Sequence, residues 1–457
     1  LPAIDAIIPA IGAVAHEAVL FAAIGFLIGG IDDLAVDWVY FSTRLRAWRR
    51  PDPQRAPLRD GGRMAVFVPA WDEAAVIGAM LRTALGRYDY ADYRIYVGVY
   101  PNDPATIAAV GAVAVTDDRI RMVVNPRPGG TTKADCLNAL WRALLRDEAV
   151  EGAARAIVLH DAEDVVHPDE LGLMAAWLSD HQAVQIPVLP LPDRRSPLIA
   201  GHYLDEFAEA HGKVLPVREA LGAALPFAGV GCAIDRVLLG QIAATRGGVP
   251  FDESSLTEDY ELGLTVAAMG GRTKLVRTRD SRGALVAVRA YFPASLGAAV
   301  RQKARWMTGI ALAGWDRTGW AAGGSIGEHW MRMRDRRATL AIPILAIAYL
   351  ALVAWGISLG IYLAAGTVPP APEGALRPLL AANFALLGWR IAMRMLFTAR
   401  AFGPVEALLS IPRLFVANLV ALLAARRAMA IYLPTLRGKP AVWDKTPHHF
   451  PGESGVA

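Results

Sequence analysis

Three carboxylates fall within four residues at Asp161-Ala162-Glu163-Asp164, directly after the apolar run Ala156–Leu159. Asp161 and Glu163, at i and i+2, project to the same side of an extended backbone. They repel each other unless a cation sits between them. A hard divalent ion such as Mg²⁺ or Mn²⁺ takes oxygen ligands of this kind and shares them with substrate phosphates. Open α/β sheets bind ligands outside the carboxyl ends of their strands, where this acidic stretch would stand. Asp164 is a further acid available to the same ion. The alternative is a solvated acidic loop or a helix start.

Other stretches add chemistry. Thr257-Glu258-Asp259 reads as a helix start capped by Thr257, with both acids in its first turn. Its functional reading is a general base, which needs a carboxylate aimed at a substrate proton. Pro69-Ala70-Trp71-Asp72-Glu73 carries a strand into a turn and a helix, and Tyr100-Pro101-Asn102-Asp103 ends the next strand in the same way. Asp103 is placed either to accept hydrogen bonds from a base or ribose, or to make an ordinary turn. Pro128-Gly129-Gly130-Thr131-Thr132-Lys133 lacks Walker A spacing, but its loop amides, Lys133 and the following helix end suit a phosphate. On a helix, Gln302, Arg305 and Trp306 share a face: arginine clamps phosphate oxygens, and tryptophan offers a broad surface to a sugar ring. An interfacial Trp and Arg facing lipid is the alternative there.

The elements that must position these residues alternate. Met64–Val68, Tyr93–Tyr100, Arg121–Val124 and Ala156–Leu159 read as strands; Glu73–Leu85, Thr132–Arg146 and Pro168–Leu178 read as helices. That alternation predicts an α/β fold with an open, mostly parallel sheet covered on both faces, over residues 60–335. The 457-residue chain is 54% apolar with net charge +4, which points to a membrane as well as a soluble domain. Residues 1–43 read as a transmembrane helix, Ala6 to Ile31, with an interfacial segment; Arg44, Arg46, Arg49 and Arg50 then mark the cytoplasmic side. The break at His16-Glu17 and the lack of a cleavage pattern speak against a removable signal peptide, and the start at Leu1 suggests a trimmed N-terminus. Within 338–434, transmembrane helices are expected at about 340–364 and 377–398. Interfacial helices are expected at about 402–434, broken at Pro404 and Pro412. Arg390 and Arg394 either snorkel to the interface or line a polar path. A cytoplasmic tail, 435–457, follows. Cys136 and Cys232 make no disulfide framework, and no basic run with interleaved aromatics suggests nucleic acid.

Together these stretches resemble the membrane-embedded family 2 glycosyltransferases, the group that includes cellulose and hyaluronan synthases. The ordered set carries the resemblance: Pro69 to Glu73, Asp103, Lys133 with Leu137-Asn138, Asp161-Ala162-Glu163, Phe227 to Cys232, Thr257-Glu258-Asp259 and Gln302-x-x-Arg305-Trp306. Within that group, Tyr100-Pro101-Asn102-Asp103, His160-Asp161-Ala162-Glu163-Asp164 and Trp443-Asp444-Lys445-Thr446 look most like the bacteriophage-adsorption-protein-B type. Such relatives commonly carry a C-terminal cyclic-di-GMP-binding domain, expected to be absent or trimmed in a chain stopping at Ala457. Two positions depart from the family pattern. Glu163 replaces the second Asp of the metal motif, and Asn102 replaces one of two paired acids.

The resemblance implies a GT-A-type, Rossmann-like cytoplasmic domain and inverting transfer from a nucleotide sugar, UDP-linked and with an N-acetylhexosamine among the candidates. It implies that Pro69, Ala70, Trp71, Glu73 and Asp103 bind the nucleotide, and that Lys133, Gln302 and Arg305 surround its phosphates. Asp161 and Glu163 would hold Mg²⁺ or Mn²⁺. Asp259 would act as general base beside Glu258, with Gly229, Gly231, Cys232 and Trp306 at the acceptor. The expected product is a growing exopolysaccharide made at the bacterial inner membrane and translocated with the help of a periplasmic or outer-membrane export partner. The alternatives are a single addition to a lipid carrier and a non-catalytic component of export or phage adsorption.

Overall fold

The computed structural model describes residues 2–49, 54–366, 368, 371–438 and 449–451, with side chains from Gly12 onward. The chain opens on one helix, α1 (Pro2–Arg49), with no break between its apolar half and its acidic half. The α/β region follows. Its strands are β1 (Met64–Pro69), β2 (Tyr93–Val99), β3 (Ile120–Val124), β4 (Ala156–Leu159), β5 (Ala183–Gln185), β6 (Val188–Pro190), β7 (Cys232–Asp235), β8 (Thr273–Leu275) and β9 (Val288–Ala290). The helices after α1 are α2 (Ile77–Arg87), α3 (Pro104–Ala114), α4 (Lys133–Glu151), α5 (Glu170–Trp177), α6 (Gly201–Glu209), α7 (Leu215–Ala220), α8 (Arg236–Thr245), α9 (Glu258–Ala268), α10 (Leu296–Met307), α11 (Ala313–Thr318) and α12 (Ile326–Arg336). Two π-helical turns, Ala210–Val214 and Thr308–Leu312, join α6 to α7 and α10 to α11.

Seven strands form one sheet in the order β3-β2-β1-β4-β7-β5-β8, and β6 pairs with β9 apart from it. The four strands from β3 to β4 run parallel, while β7 is antiparallel to both its neighbours. The period-2 alternation of β1 explains why both faces must be covered. Met64, Val66 and Val68 enter one core with residues of α2, α3 and α5; Ala65 and Phe67 enter the other with residues of α4, α8 and α9. A large apolar side chain buried this way contributes roughly 1.5–3 kcal/mol. The expected strands and the helices near 133 and 170 stand where the apolar runs placed them. The exception is the helix expected from Glu73, which begins at Ile77. Asp72 adopts φ +57 and the Glu73 amide donates to Thr106 Oγ1 (3.0 Å), so 73–76 form a turn instead.

Three long helices complete the chain: α13 (Ala338–Ala364), α14 (Leu376–Phe402) and α15 (Pro404–Thr435). By length and composition, these and α1 from Gly12 on could each cross a membrane. The separate interfacial helices expected over 402–434 are one helix. Pro404 takes its first turn, where a missing N–H costs nothing, and Pro412 is carried inside it. Its packing is distinctive. Arg413 is buried against Pro197 O (2.7 Å) and Asp205; Val416 and Val420 pack with Tyr203 and Ala299; Ala424 and Ala428 pack with Ala304; Tyr432 donates to Asp316 (2.6 Å). From Arg413 to Tyr432 the helix follows the α/β region for roughly 30 Å. Arg390 and Arg394 do not line a path: Arg390 pairs with Asp33 of α1, and Arg394 approaches Glu209 at 3.9 Å. Trp443 to His448 lie outside the described residues, and Phe450 packs against the core on the α2 side.

Candidate active site

The parallel register that puts Leu159 of β4 beside Phe67 of β1 sets the acidic turn at the sheet's carboxyl edge. A cleft of about 360 Å³ opens there, lined by Pro69, Glu73, Lys133, Asp161, Glu163, Gly229, Glu258, Asp259, Gln302, Arg305 and Trp306 among others. Thus β1, α4, β4, the turn before β7, α9 and α10 each deliver a side chain to one space. A second cavity of about 340 Å³ meets it at Asp161, Glu163, Phe207, Ala228 and Gln302.

Lys133 is the hub. As the first residue of α4, which Thr132 caps by accepting from Asp135 N, it reaches Asp161 Oδ1 at 2.5 Å and Glu258 Oε1 at 3.9 Å. Burial works to lower its pKa, but Asp161, Glu258 and Asp259 hold the ammonium above the ordinary lysine value. Burial pushes the Glu258 carboxyl up to about 7 against the pull of Lys133, and pushes Asp259 up in the same way. A carboxylate raised toward neutrality is a better base. Gly229, at φ +78, lets the chain pass against this acid: a Cβ there would stand 2.6 Å from Asp259 Oδ2 and 3.5 Å from Lys133 Nζ.

Among the described residues, no group of three or more His, Cys, Asp or Glu could hold a metal ion. Asp161 and Glu163 fit one as two oxygen ligands that bound phosphates would complete. Asp164, in contrast, is committed elsewhere. Its Oδ2 bonds His160 Nδ1 (2.8 Å) and accepts from Asp161 N (3.0 Å), while His160 Nε2 meets Glu170 Oε1 (2.8 Å), which also takes the Tyr88 hydroxyl. Burial disfavours charge on His160, yet the two carboxylates push it up to about 10. This imidazolium between two acids braces the turn that carries Asp161.

Residues 62–309, more than half of the chain, match the family described as glycosyltransferase like family 2. The chain is a family 2 glycosyltransferase. It is 36% identical over 471 residues to the bacteriophage adsorption protein B of Escherichia coli strain K12, and equally to the bacteriophage N4 adsorption protein B of Escherichia coli O157:H7. The match takes in 96% of this chain and 62% of each relative's length. Among solved structures it is similar to a Pyrobaculum calidifontis mannosyltransferase in complex with GDP-Man and Mn²⁺, with TM-score 0.50, 19% identity, and 86% and 98% of the two chains covered. That likeness shows the GT-A fold.

Not every residue expected at the glycosyltransferase site lines it. Asp103 accepts from Asp72 N (2.6 Å) and Thr106 N, so it holds the positive-φ turn after β1 and caps α3 rather than facing the cleft. Ala70 is buried, and Trp71 packs edge-on to Tyr100 and flat against Gly129, where a Cβ would fall 1.9 Å from the ring. Gly129 therefore serves packing, while Thr132 and Lys133 at the end of the same loop line the cleft. The Gly129 amide already donates to Asn102 Oδ1 (2.5 Å). Gly231 turns the chain at φ +60 behind the site, and Cys232, at the start of β7, points into the core on the α4 side, where burial pushes its thiol up. Of Gly229, Gly231 and Cys232, Gly229 alone lines the cleft. Thr257 does not cap α9: its hydroxyl is buried without a partner against Gly309 of the second π-helical turn. Ser255 instead accepts from Thr257 N and donates to Glu261, which pairs with Arg317.

Among the lining residues that the sequence did not mark are Glu206, Phe207 and His211, from α6 and its π-helical turn. Phe207 stacks on His211 at 5.6 Å and tilts against Trp306 at 6.1 Å; Lys303 pairs with Glu206 and lies 5.0 Å over Trp306. Burial, and then Arg277, push His211 down to about 3, so it is neutral. A His four residues after a Phe in an apolar helical pattern was the available signal.

Proposed function

We propose that this family 2 glycosyltransferase is an inverting, metal-dependent enzyme that extends an exopolysaccharide from a nucleoside diphosphate sugar, UDP-linked sugars being the first to test. The observation that carries this reading is Asp259, raised in pKa, set against Gly229 and joined through Lys133 to Asp161 within a single cleft. Asp259 takes the proton of the acceptor hydroxyl, whose oxygen then attacks the anomeric carbon from the face opposite the leaving diphosphate. Lys133 and Arg305 give positive charge to the departing phosphates, a contribution made where charge develops. Gln302 has a buried Oε1 without a partner and lines both cavities, so it is placed to bond a sugar hydroxyl or, with its amide turned, a phosphate. Trp306, backed by Phe207 and Tyr203, gives the acceptor sugar a flat apolar floor. Asp161 and Glu163 would hold Mg²⁺ or Mn²⁺, which when bound would supply Lewis-acid charge at the diphosphate.

The cleft runs on to Asp335, at the end of α12 where the apolar helices begin. This supports an acceptor delivered at a membrane, either a growing chain or a lipid-linked sugar; product length separates the two. Arg44, Arg46 and Arg49 after the apolar half of α1, and Arg334, Arg336 and Arg337 before α13, favour a cytoplasmic site at the inner membrane. The contacts of α15 along the α/β region favour an interfacial position for it.

The test is release of nucleoside diphosphate from a panel of UDP- and GDP-sugars by the purified chain in nanodiscs, with and without Mn²⁺ or Mg²⁺, beside Asp259→Asn. Metal-dependent release from one donor, lost in the variant, identifies the sugar. Equal release by the variant overturns the assignment of the base. No binding of any donor would move the function to a non-catalytic role in export or phage adsorption.

A further inference from the structure

Arginines at the boundary between the α/β region and the apolar helices fall into two groups. Arg334, Arg337, Arg390 and Arg413 each pair with a carboxylate. Arg44, Arg277, Arg279 and Arg400 have no carboxylate partner among the described residues, and all four are exposed.

Side-chain contacts draw members of the second group together. Arg277 donates to the Gly212 carbonyl (3.4 Å), and Gly212 abuts the Phe397 ring. The Arg400 guanidinium lies 5.7 Å over that ring and 3.5 Å from the Tyr40 hydroxyl, and Tyr40 packs edge-on to Phe397 one turn before Arg44. Desolvation at its guanidinium, and then the charges of Arg44, Arg279 and Arg400, hold Arg277 below the ordinary arginine value, although the residue as a whole is exposed. Arg277 and Arg400 thus face one place from the segment after β8 and the end of α14, with Arg44 one turn beyond Tyr40 at the end of α1.

Beside them, Phe41, Leu45 and Trp48 form an exposed apolar stripe on the last turns of α1, Trp48 at 80% exposure. A free phosphate has no use for that stripe. A phospholipid does, because its headgroup takes the arginines while its chains meet the apolar side chains.

We propose that Arg44, Arg277 and Arg400 form a binding site for the headgroup of an anionic phospholipid, seated against the Phe41–Trp48 stripe. The site holds the β8 end of the α/β region down onto the leaflet. It lies outside the transfer cleft and does not depend on the proposed reaction.

The test uses the full chain purified in detergent. Short-chain phosphatidylglycerol, short-chain phosphatidylcholine and inorganic phosphate are titrated separately, and the concentration that half-saturates the rise in melting temperature is read for each. Phosphatidylglycerol is expected to act at the lowest concentration. Arg277→Gln with Arg400→Gln should raise its half-saturating concentration about 30-fold, and Arg44→Gln about fivefold, from the usual contribution of a basic residue near anionic lipid. Arg82→Gln with Arg142→Gln, the same charge loss on exposed parts of α2 and α4, should leave it unchanged. Arg44 makes no side-chain contact that the fold needs, so its variant decides the matter if the double variant does not fold. Equal action of phosphatidylcholine, equal action of inorganic phosphate, or no change in Arg44→Gln would each overturn the proposal.

Discussion

The two sets of buried charge beside α6 are composed differently. At the boundary with the apolar helices, Asp32, Asp33, Asp37 and Glu209 face Lys213, Arg334, Arg337, Arg390 and Arg394, four acids against five bases, all in ion pairs. In the cleft, Asp161, Glu258 and Asp259 gather round Lys133, with Glu163 and Arg305 elsewhere on the wall. The first set gives every acid a basic partner and has no reason to change. The second keeps an excess of negative charge, which burial alone would make unfavourable. Such crowding of acids in an open cleft would suit a positive group arriving from solution.

Four experiments bear on that contrast. Asp259→Asn should cut turnover about 10³-fold, within the usual worth of a general base, while the melting temperature holds or rises because a like charge is gone. Lys133→Met leaves the cleft acids without their counter-charge and should cost about 3–5 kcal/mol, read by denaturation in detergent. Mn²⁺ should restore much of that loss, and an absence of any metal effect would count against Asp161 and Glu163 as ligands. Lys213→Met strands Asp37 and Glu209 in the boundary set and should cost about 3 kcal/mol. Mn²⁺ should not restore it; equal rescue in both variants would erase the distinction between the two regions.

The smallest effect concerns His211. Its folded pKa lies near 3, below the ordinary value near 6.5, so the unfolded chain takes up a proton first as pH falls. Its stabilising contribution is complete above about pH 6.5 and is lost as pH falls toward 3. His211→Phe should therefore shrink the stability difference between pH 8 and pH 5 by about 2 kcal/mol. An unchanged difference would mean that His211 is not held neutral.

Why some of this could be read along the chain and some could not follows from the range of the forces. The runs of β1 to β4 are short, apolar and closed by Pro or acids, so local pattern fixes them and, through them, the position of Asp161. Lys133 and Asp259 each stand at a helix start, which the sequence also marks. The fate of Asp103 was invisible, because it depends on a positive-φ turn at Asp72, 31 residues away in sequence. The contacts of Trp71 with Gly129 and Tyr100 join two strand ends and were hidden in the same way. The same distance hid α6: Phe207 and His211 reach the cleft because Lys213 and Glu209, on the other side of the π-helical turn, are tied to α1 and α14. The prolines of α15 predict breaks that tertiary contacts override.

The burial of Arg413, Val420, Ala424 and Ala428 bears on how this enzyme can be divided. The matched stretch 62–309 stops in the turn after α10, yet the underside of α10 rests on α15, more than a hundred residues further on. A chain cut after Arg337 would keep every acid of the cleft. It would also uncover Tyr203, Ala299 and Ala304, and remove the support beneath the helix that carries Gln302, Arg305 and Trp306. The acids of the cleft stay with the sheet, but the wall that carries Gln302, Arg305 and Trp306 is shared property with the last helix, and a catalyst cut after Arg337 should lose acceptor transfer together with the Gln302 and Arg305 contributions to the donor.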